Sequence, residues 1–140
     1  MSKSKLDIKE RQNQNVTILD LSGKIHLGES SIKFRTSLRQ RMQEGKKHIL
    51  LNLADVSQID SCGLGELVAG FVSVERNGGE MKLLNLTDRV SELMMITKLV
   101  TVFEVYENEE AAVNSFQNVS NGELNQSAYV TGKLDKAFLN

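Results

Sequence analysis

The chain has one cysteine, no tryptophan and no proline. A single thiol cannot close an intrachain disulfide, and a reducing cytoplasm is its natural setting. Histidine is nearly as scarce. His26 and His48, taken with Cys62, make no recognisable metal spacing, so neither a metal nor a cofactor is expected. No window approaches the about 20 apolar residues that span a bilayer. The start, Met1-Ser2-Lys3-Ser4-Lys5 followed by Leu6-Asp7-Ile8-Lys9-Glu10, lacks the apolar run of a signal peptide. An excess of one charge is missing as well: 17 basic residues against 18 acidic ones leave a net charge of -1, with no global field toward nucleic acid or an anionic membrane. Direct nucleic-acid binding and membrane insertion are therefore not expected. The missing proline is unusual for a chain with this many turns, and no functional conclusion attaches to it.

What is present suits one globular domain with a single core: 140 residues, 40% apolar and 25% charged. Leu6-Asp7-Ile8-Lys9 and Val16-Thr17-Ile18-Leu19-Asp20-Leu21 both alternate apolar and polar, which predicts two antiparallel strands joined by the polar turn Gln12 to Asn15. Gly23 should break the second strand, Lys24-Ile25-His26-Leu27 should form a short loop, and Gly28 to Ser31 offer cap residues for a helix. Phe34, Leu38 and Met42, with Ile32 nearby, mark its apolar face, and Gly45 ends it. His48 to Leu53 reads as a central strand. A helix starting near Cys62 places Leu64, Leu67, Val68, Phe71 and Val74 on one stripe, stopped by Asn77-Gly78-Gly79. Glu80 to Leu86 is another strand, Thr87 can cap a helix bearing Val90, Leu93, Met94 and Thr97, Thr101 to Tyr106 is a last strand, and Asn108 to Phe116 a last helix.

The order is β-β-α-β-α-β-α-β-α, an α/β fold with a mixed, mostly parallel sheet and interleaved helices. The domain is expected over 1–116. Residues 117–140, rich in Asn, Ser, Gln and Gly, read as a flexible polar tail with a weak amphipathic hint at Lys133 to Leu139.

The most informative stretch is Val56-Ser57-Gln58-Ile59-Asp60-Ser61-Cys62-Gly63-Leu64-Gly65-Glu66. Ser61 lies where strand hands over to helix, either as N-cap or one residue from it. The unpaired amides and positive dipole end of the first turn favour an anion, so a phosphate on Ser61 would be accommodated locally. Gly63 and Gly65 remove Cβ bulk beside the hydroxyl and would let a partner come close. Val56 and Ile59 can tuck the segment into the core, leaving Asp60 and Ser61 outward. Asp55 and Asp60 are candidates to orient the hydroxyl or to repel a phosphate, whose added charge of about -1.5 to -2 would oppose docking on a surface that already carries Asp55, Asp60 and Glu66. The plainer reading is an ordinary helix cap, contributing about 1 kcal/mol.

Asn52-Leu53-Ala54-Asp55-Val56-Ser57-Gln58-Ile59-Asp60-Ser61-Cys62-Gly63-Leu64-Gly65 resembles the signature of the STAS domain, in particular that of the bacterial anti-sigma factor antagonists. The likeness covers roughly residues 6–116 and includes Gly23, Gly78-Gly79 and the element order. It implies a STAS-like sheet and a partner-switching role. In that scheme the unphosphorylated chain binds an anti-sigma factor that is also a serine kinase of histidine-kinase-like ATPase fold, and so releases a sigma factor. Phosphorylation at Ser61 abolishes binding, and a PP2C-type phosphatase restores it. The chain would be substrate and ligand, not an enzyme, and would act in the cytoplasm. The expected partner-binding set is Lys24, Ile25, His26, Leu27, Asp55, Asp60, Ser61, Cys62, Gly63, Gly65 and Glu66, with the exposed side of the helix to Asn77. Two departures from the family pattern stand out. Cys62 replaces a usual Ser or Thr, and Lys24 stands where an acidic residue is common. The alternative implied by the same likeness is a STAS scaffold or regulatory subunit of a signalling complex or lipid-transport system.

Other chemistries find less support. Cys62 at a helix start could carry a lowered pKa and sense redox state, or it could simply be a small side chain packed beside the segment. A Ser61 nucleophile would need His26 as base, since His48 opens a strand at its far end, and there is no Gly-x-Ser-x-Gly elbow. Gly63-Leu64-Gly65 lacks the third glycine of a dinucleotide fingerprint, and no Walker lysine follows. Lys33, Arg35, Arg39 and Arg41, without interleaved aromatics, read as a solvated helix face. Met94, Met95 and Leu99 could form an exposed contact patch, or could pack.

Overall fold

The computed structural model describes residues 5–121. Five strands, β1 (Leu6–Asn13), β2 (Val16–Ile25), β3 (His48–Ile59), β4 (Glu80–Leu84) and β5 (Val105–Tyr106), form one sheet in sequence order. β1 pairs antiparallel with β2 and the other neighbours are parallel, as the helices between consecutive strands require. The helices are α1 (Glu29–Gln43), α2 (Ser61–Arg76), α3 (Asp88–Ile96) and α4 (Glu109–Asn121). The predicted fold class and order are therefore those observed.

Alternation along the strands builds two cores. Leu19, Leu21, Ile49, Leu51 and Leu53 face one way and pack with Phe34 and Leu38 of α1, Leu64 and Leu67 of α2, and Val90 and Met94 of α3. Ile18 and Leu50 face the other way and pack with Leu84 and with Ala112, Val113 and Phe116 of α4. Met94 is fully buried, whereas Met95 stands in solvent, so the two methionines form no joint patch. Ile32 is also outside, 54% exposed. It precedes Phe34 by two residues, which is about 200° of helix rotation, and so points away from the core stripe.

Several boundaries differ from those the sequence suggests. β1 extends to Asn13, leaving only Gln14-Asn15 as the turn. β2 continues through Gly23 to Ile25 instead of ending there. Gly23 has φ +111, and a Cβ on it would stand 2.3 Å from the Lys5 carbonyl oxygen, so the glycine permits a close strand approach instead of breaking the strand. β3 runs six residues farther than Leu53 because it stays paired with β2 as far as Ile25↔Ile59, with register shifts at Asp20/Ser22 and Gly23/Lys24. These bulges put Ala54 and Asp55 both outside, destroy the period of two, and make a strand look like a loop. The last strand keeps only Val105–Tyr106, because Leu99–Thr101 closes as a 3-10 turn. Helix α4 passes residue 116, where the domain was expected to end. The expected tail from 122 on, with its amphipathic hint, lies outside the described residues.

On the far side of the sheet, Lys82 of β4 is 1% exposed. Its Nζ donates to Ser115 Oγ of α4 at 2.8 Å and pairs with Glu104 Oε1 at 3.0 Å, which also accepts from the Tyr106 hydroxyl at 2.9 Å. The lysine thereby ties β4, the approach to β5 and α4 together.

Candidate functional site

Two segments meet at the carboxyl ends of β2 and β3. Backbone pairing brings them together, with Asp60 N donating to Ile25 O at 3.3 Å. Asp60 itself is the N-cap of α2: its Oδ1 accepts from Gly63 N at 2.7 Å and its Oδ2 from Leu27 N at 3.1 Å. One carboxylate therefore closes the helix and fastens the neighbouring loop. Burial pushes the Asp60 carboxyl up, but the amides of Gly63, Leu27 and Cys62 and the nearby His26 together hold it below the usual carboxylate range. Both Asp60 oxygens are engaged by backbone amides, so Asp60 does not orient the serine hydroxyl, and its ionised carboxylate remains a negative charge at the start of α2.

Ser61 is the first residue of α2 and is exposed. The cap is one residue earlier, so the hydroxyl carries no capping duty. Of the serines nearby, Ser57 is exposed on β3 and donates to Gly23 O at 3.2 Å. Two at the neighbouring helix start are spent structurally: Ser30 Oγ accepts from His26 N at 2.8 Å and donates to His26 O at 3.0 Å, while Ser31 Oγ bonds both Gly28 N and Gly28 O. Both are buried. Ser61 is the exposed hydroxyl at the start of α2 itself.

The remaining expected site residues divide by position. Lys24 and Ile25 belong to the end of β2, not to a loop, opposite Gln58 and Ile59. Ile25 is fully buried and so supports the site from beneath, while Leu27 is 74% exposed. His26 sits close enough to Asp60 to influence its charge. Asp55 is exposed on β3, in register with Ser22, well before the helix start. Cys62 is an exposed free thiol. The expectation that it packs beside the segment is therefore corrected by its exposure.

The two glycines have opposite reasons to be there. A Cβ on Gly63 would stand 2.1 Å from Ile25 O, so Gly63 lets the first turn of α2 lie on the end of β2 and is buried. The idea that it opens space for a partner is overturned by this internal contact. Gly65 meets nothing within 4 Å and leaves bare surface beside Ser61. Glu66 turns toward α1, where its Oε2 lies 2.5 Å from Arg35 Nη2. Its charge is thus shared with Arg35 and does not add simply to Asp55 and Asp60. Arg41 pairs with Glu10 at 2.8 Å, so the basic face of α1 is only partly solvated.

His48 opens β3 and stacks near Phe116 with ring centroids 5.3 Å apart, at the opposite end of the strand from Ser61. It cannot serve that serine as a base. Among the described residues there is no group of three or more His, Cys, Asp or Glu side chains that could hold a metal, and no helix is long and apolar enough to cross a membrane.

The family model for the STAS domain matches residues 7–112. The anti-sigma-B factor antagonist of Bacillus subtilis (strain 168) is 31% identical over 108 residues, covering 77% of this chain and 97% of the relative. The anti-sigma F factor antagonist of Paenibacillus polymyxa is 28% identical, covering 82% of this chain and 98% of the relative. In three dimensions an anti-sigma factor antagonist from Mycobacterium paratuberculosis superposes with a TM-score of 0.71 at 14% identity, over 83% of this chain and 97% of that one. The Bacillus cell fate determinant SpoIIAA in its phosphorylated form gives 0.61 at 18% identity, over 78% and 98%. The chain belongs to the STAS domain family.

Proposed function

We propose that this STAS protein is an anti-sigma factor antagonist that works by partner switching, with Ser61 as the switch. The observation that carries the reading is the placement of Ser61: an exposed hydroxyl on the first residue of α2, with the capping role taken by its neighbour Asp60. Two relatives whose alignments span nearly their whole length are named antagonists of anti-sigma factors, which supports the same class of partner. The partner is an anti-sigma factor with serine kinase activity of the histidine-kinase-like ATPase type. It transfers the γ-phosphoryl of ATP to Ser61 Oγ: the new O–P bond forms as the bond from the γ-phosphorus to the bridging oxygen breaks, ADP leaves, and the hydroxyl proton passes to a base of the kinase. A PP2C-type phosphatase hydrolyses the ester and restores the binding form. The protein is substrate and ligand in this cycle and acts in the cytoplasm.

The geometry gives the switch a physical basis. A phosphate of about -1.5 to -2 charge at the first residue of α2 is tolerated by the helix dipole. It also lies beside the Asp60 carboxylate, on a molecule whose exposed Asp55 stands farther back along β3. A partner surface complementary to the neutral serine then meets a strong negative charge, and desolvating that charge without a cation opposite it costs several kcal/mol.

The test uses the purified cognate anti-sigma factor with ATP, followed by phosphopeptide mass spectrometry. Label on Ser61 and none on a Ser61→Ala variant is expected; label elsewhere sinks the proposal. In a pull-down without ATP, wild type and Ser61→Ala should bind, whereas Ser61→Asp should bind at least about tenfold more weakly. Unchanged affinity of Ser61→Asp would show that charge is not the switch.

A further inference from the structure

A cleft of about 140 Å³ opens to solvent between α1 and α2. A cavity of about 150 Å³ accommodates a benzene ring, so the cleft has room for one large apolar side chain. Its floor is apolar, built by Phe34, Leu38 and Gly70. A Cβ on Gly70 would stand 2.5 Å from Leu38 Cδ2, so the helices approach closely there because the residue is glycine. The rim is charged. Arg35 reaches across to Glu66, and Arg39, one turn on, is exposed and leaves the rim with a net positive charge.

The cleft is continuous with the Ser61 end of the molecule. Ile32, Arg35 and Arg39 follow one another at helical spacing along α1, and Cys62, Glu66, Ala69 and Ser73 do so along α2. Both stripes start beside the β2 and β3 ends. There, the protruding Leu27, held by Asp60, adds apolar surface beside Ser61, and Ile32 in the first turn of α1 is exposed as well. A surface with an apolar hollow, a basic rim and exposed aliphatic side chains fits a partner segment that pairs a large apolar side chain with an acidic one.

Building on the reading of Ser61 given above, we infer that this cleft is the second half of the partner surface. It receives one large apolar side chain of the anti-sigma factor, while an acidic residue of the same segment faces Arg39. Ser61 then gates an interface whose anchor lies along α1 and α2, and the identity of the anti-sigma factor is read at the cleft.

The experiment is an NMR titration of the 15N-labelled full chain with the purified cognate anti-sigma factor, without ATP. Amide signals of Ser61 to Gly63 and of Ala69, Gly70 and Ser73 are expected to move together. Arg39→Glu and Ala69→Trp, both at exposed positions, should keep the folded spectrum and weaken binding by roughly tenfold or more. If the cleft amides stay still and both variants bind as wild type, while Ser61→Asp still loses binding, the cleft inference is overturned and the Ser61 reading stands. If the wild type moves no signals at all, both are overturned.

Discussion

At the scale of single residues, the site depends on small differences between neighbours. Gly63 and Gly65 look equivalent in the sequence, yet an added methyl meets Ile25 O at 2.1 Å in one case and nothing within 4 Å in the other. Gly63→Ala should therefore cost about 3 kcal/mol by overpacking against backbone. Gly65→Ala should be neutral or stabilise by up to about 1 kcal/mol through helix propensity. Urea unfolding of both variants checks this, and equal costs would mean that the close approach of β2 and α2 is misread. Asp60 is the cap and the tether of Leu27, so Asp60→Ala should lose about 1–2 kcal/mol and raise amide exchange at Leu27. A loss confined to the start of α2, with Leu27 unaffected, would remove the tether from the account.

At the scale of elements, polar links fasten α4 to the sheet, and two of them centre on buried or paired cations. Arg11 of β1 donates to both Asp20 of β2 and Glu109 of α4, at distances of 2.6–3.1 Å. Hydrogen bonds from Arg11 are the first cause that holds both carboxyls below their usual range. A depressed folded pKa contributes stability that is present above the unfolded value, about 4, and lost as pH falls through the folded values. Arg11→Met should thus lower the urea midpoint at pH 7 and make little difference at pH 2. Solvent screening of these half-exposed groups keeps the pH 7 effect to about 1 kcal/mol. A gap between the proteins that does not narrow on acidification would contradict the ion-pair account.

The second link is Lys82. Removing it as Lys82→Ala leaves the Glu104 carboxylate and the Ser115 hydroxyl without their cation, and should cost about 3 kcal/mol. Lys82→Met keeps the aliphatic volume against Phe116 and should cost less. Thermal melts of the two variants decide, and Met being as damaging as Ala would show that the charge alone matters.

At the scale of the whole molecule, stability and switching should separate. Ser61 supports no cap, so Ser61→Ala and Ser61→Asp should unfold within about 0.5 kcal/mol of wild type while differing in partner binding. A large destabilisation of Ser61→Asp would make its binding loss uninformative about charge. The sheet with α1, α2 and α3 on one face and α4 on the other holds the β2 and β3 ends side by side, and this arrangement presents the exposed Ser61 hydroxyl beside Leu27 and Asp60.

Much of this was legible before any coordinates. Hydrophobic period and turn residues are local properties, so the number, type and order of elements, the parallel core strands and the position of Ser61 at a strand-to-helix junction could be read from the chain alone. What the tertiary structure decided depends on atoms distant in sequence. The β3 bulges form against β2 and erase the alternation that would have marked Ala54 to Ile59 as strand. Asp60 acts as both cap and tether only because Leu27 lies 33 positions earlier and folds beside it. Gly63 is required by Ile25, and Glu66 is claimed by Arg35. The chemistry of each side chain is written in the sequence, but which oxygen, amide or cation it meets is set by packing, and here packing left the Ser61 hydroxyl exposed.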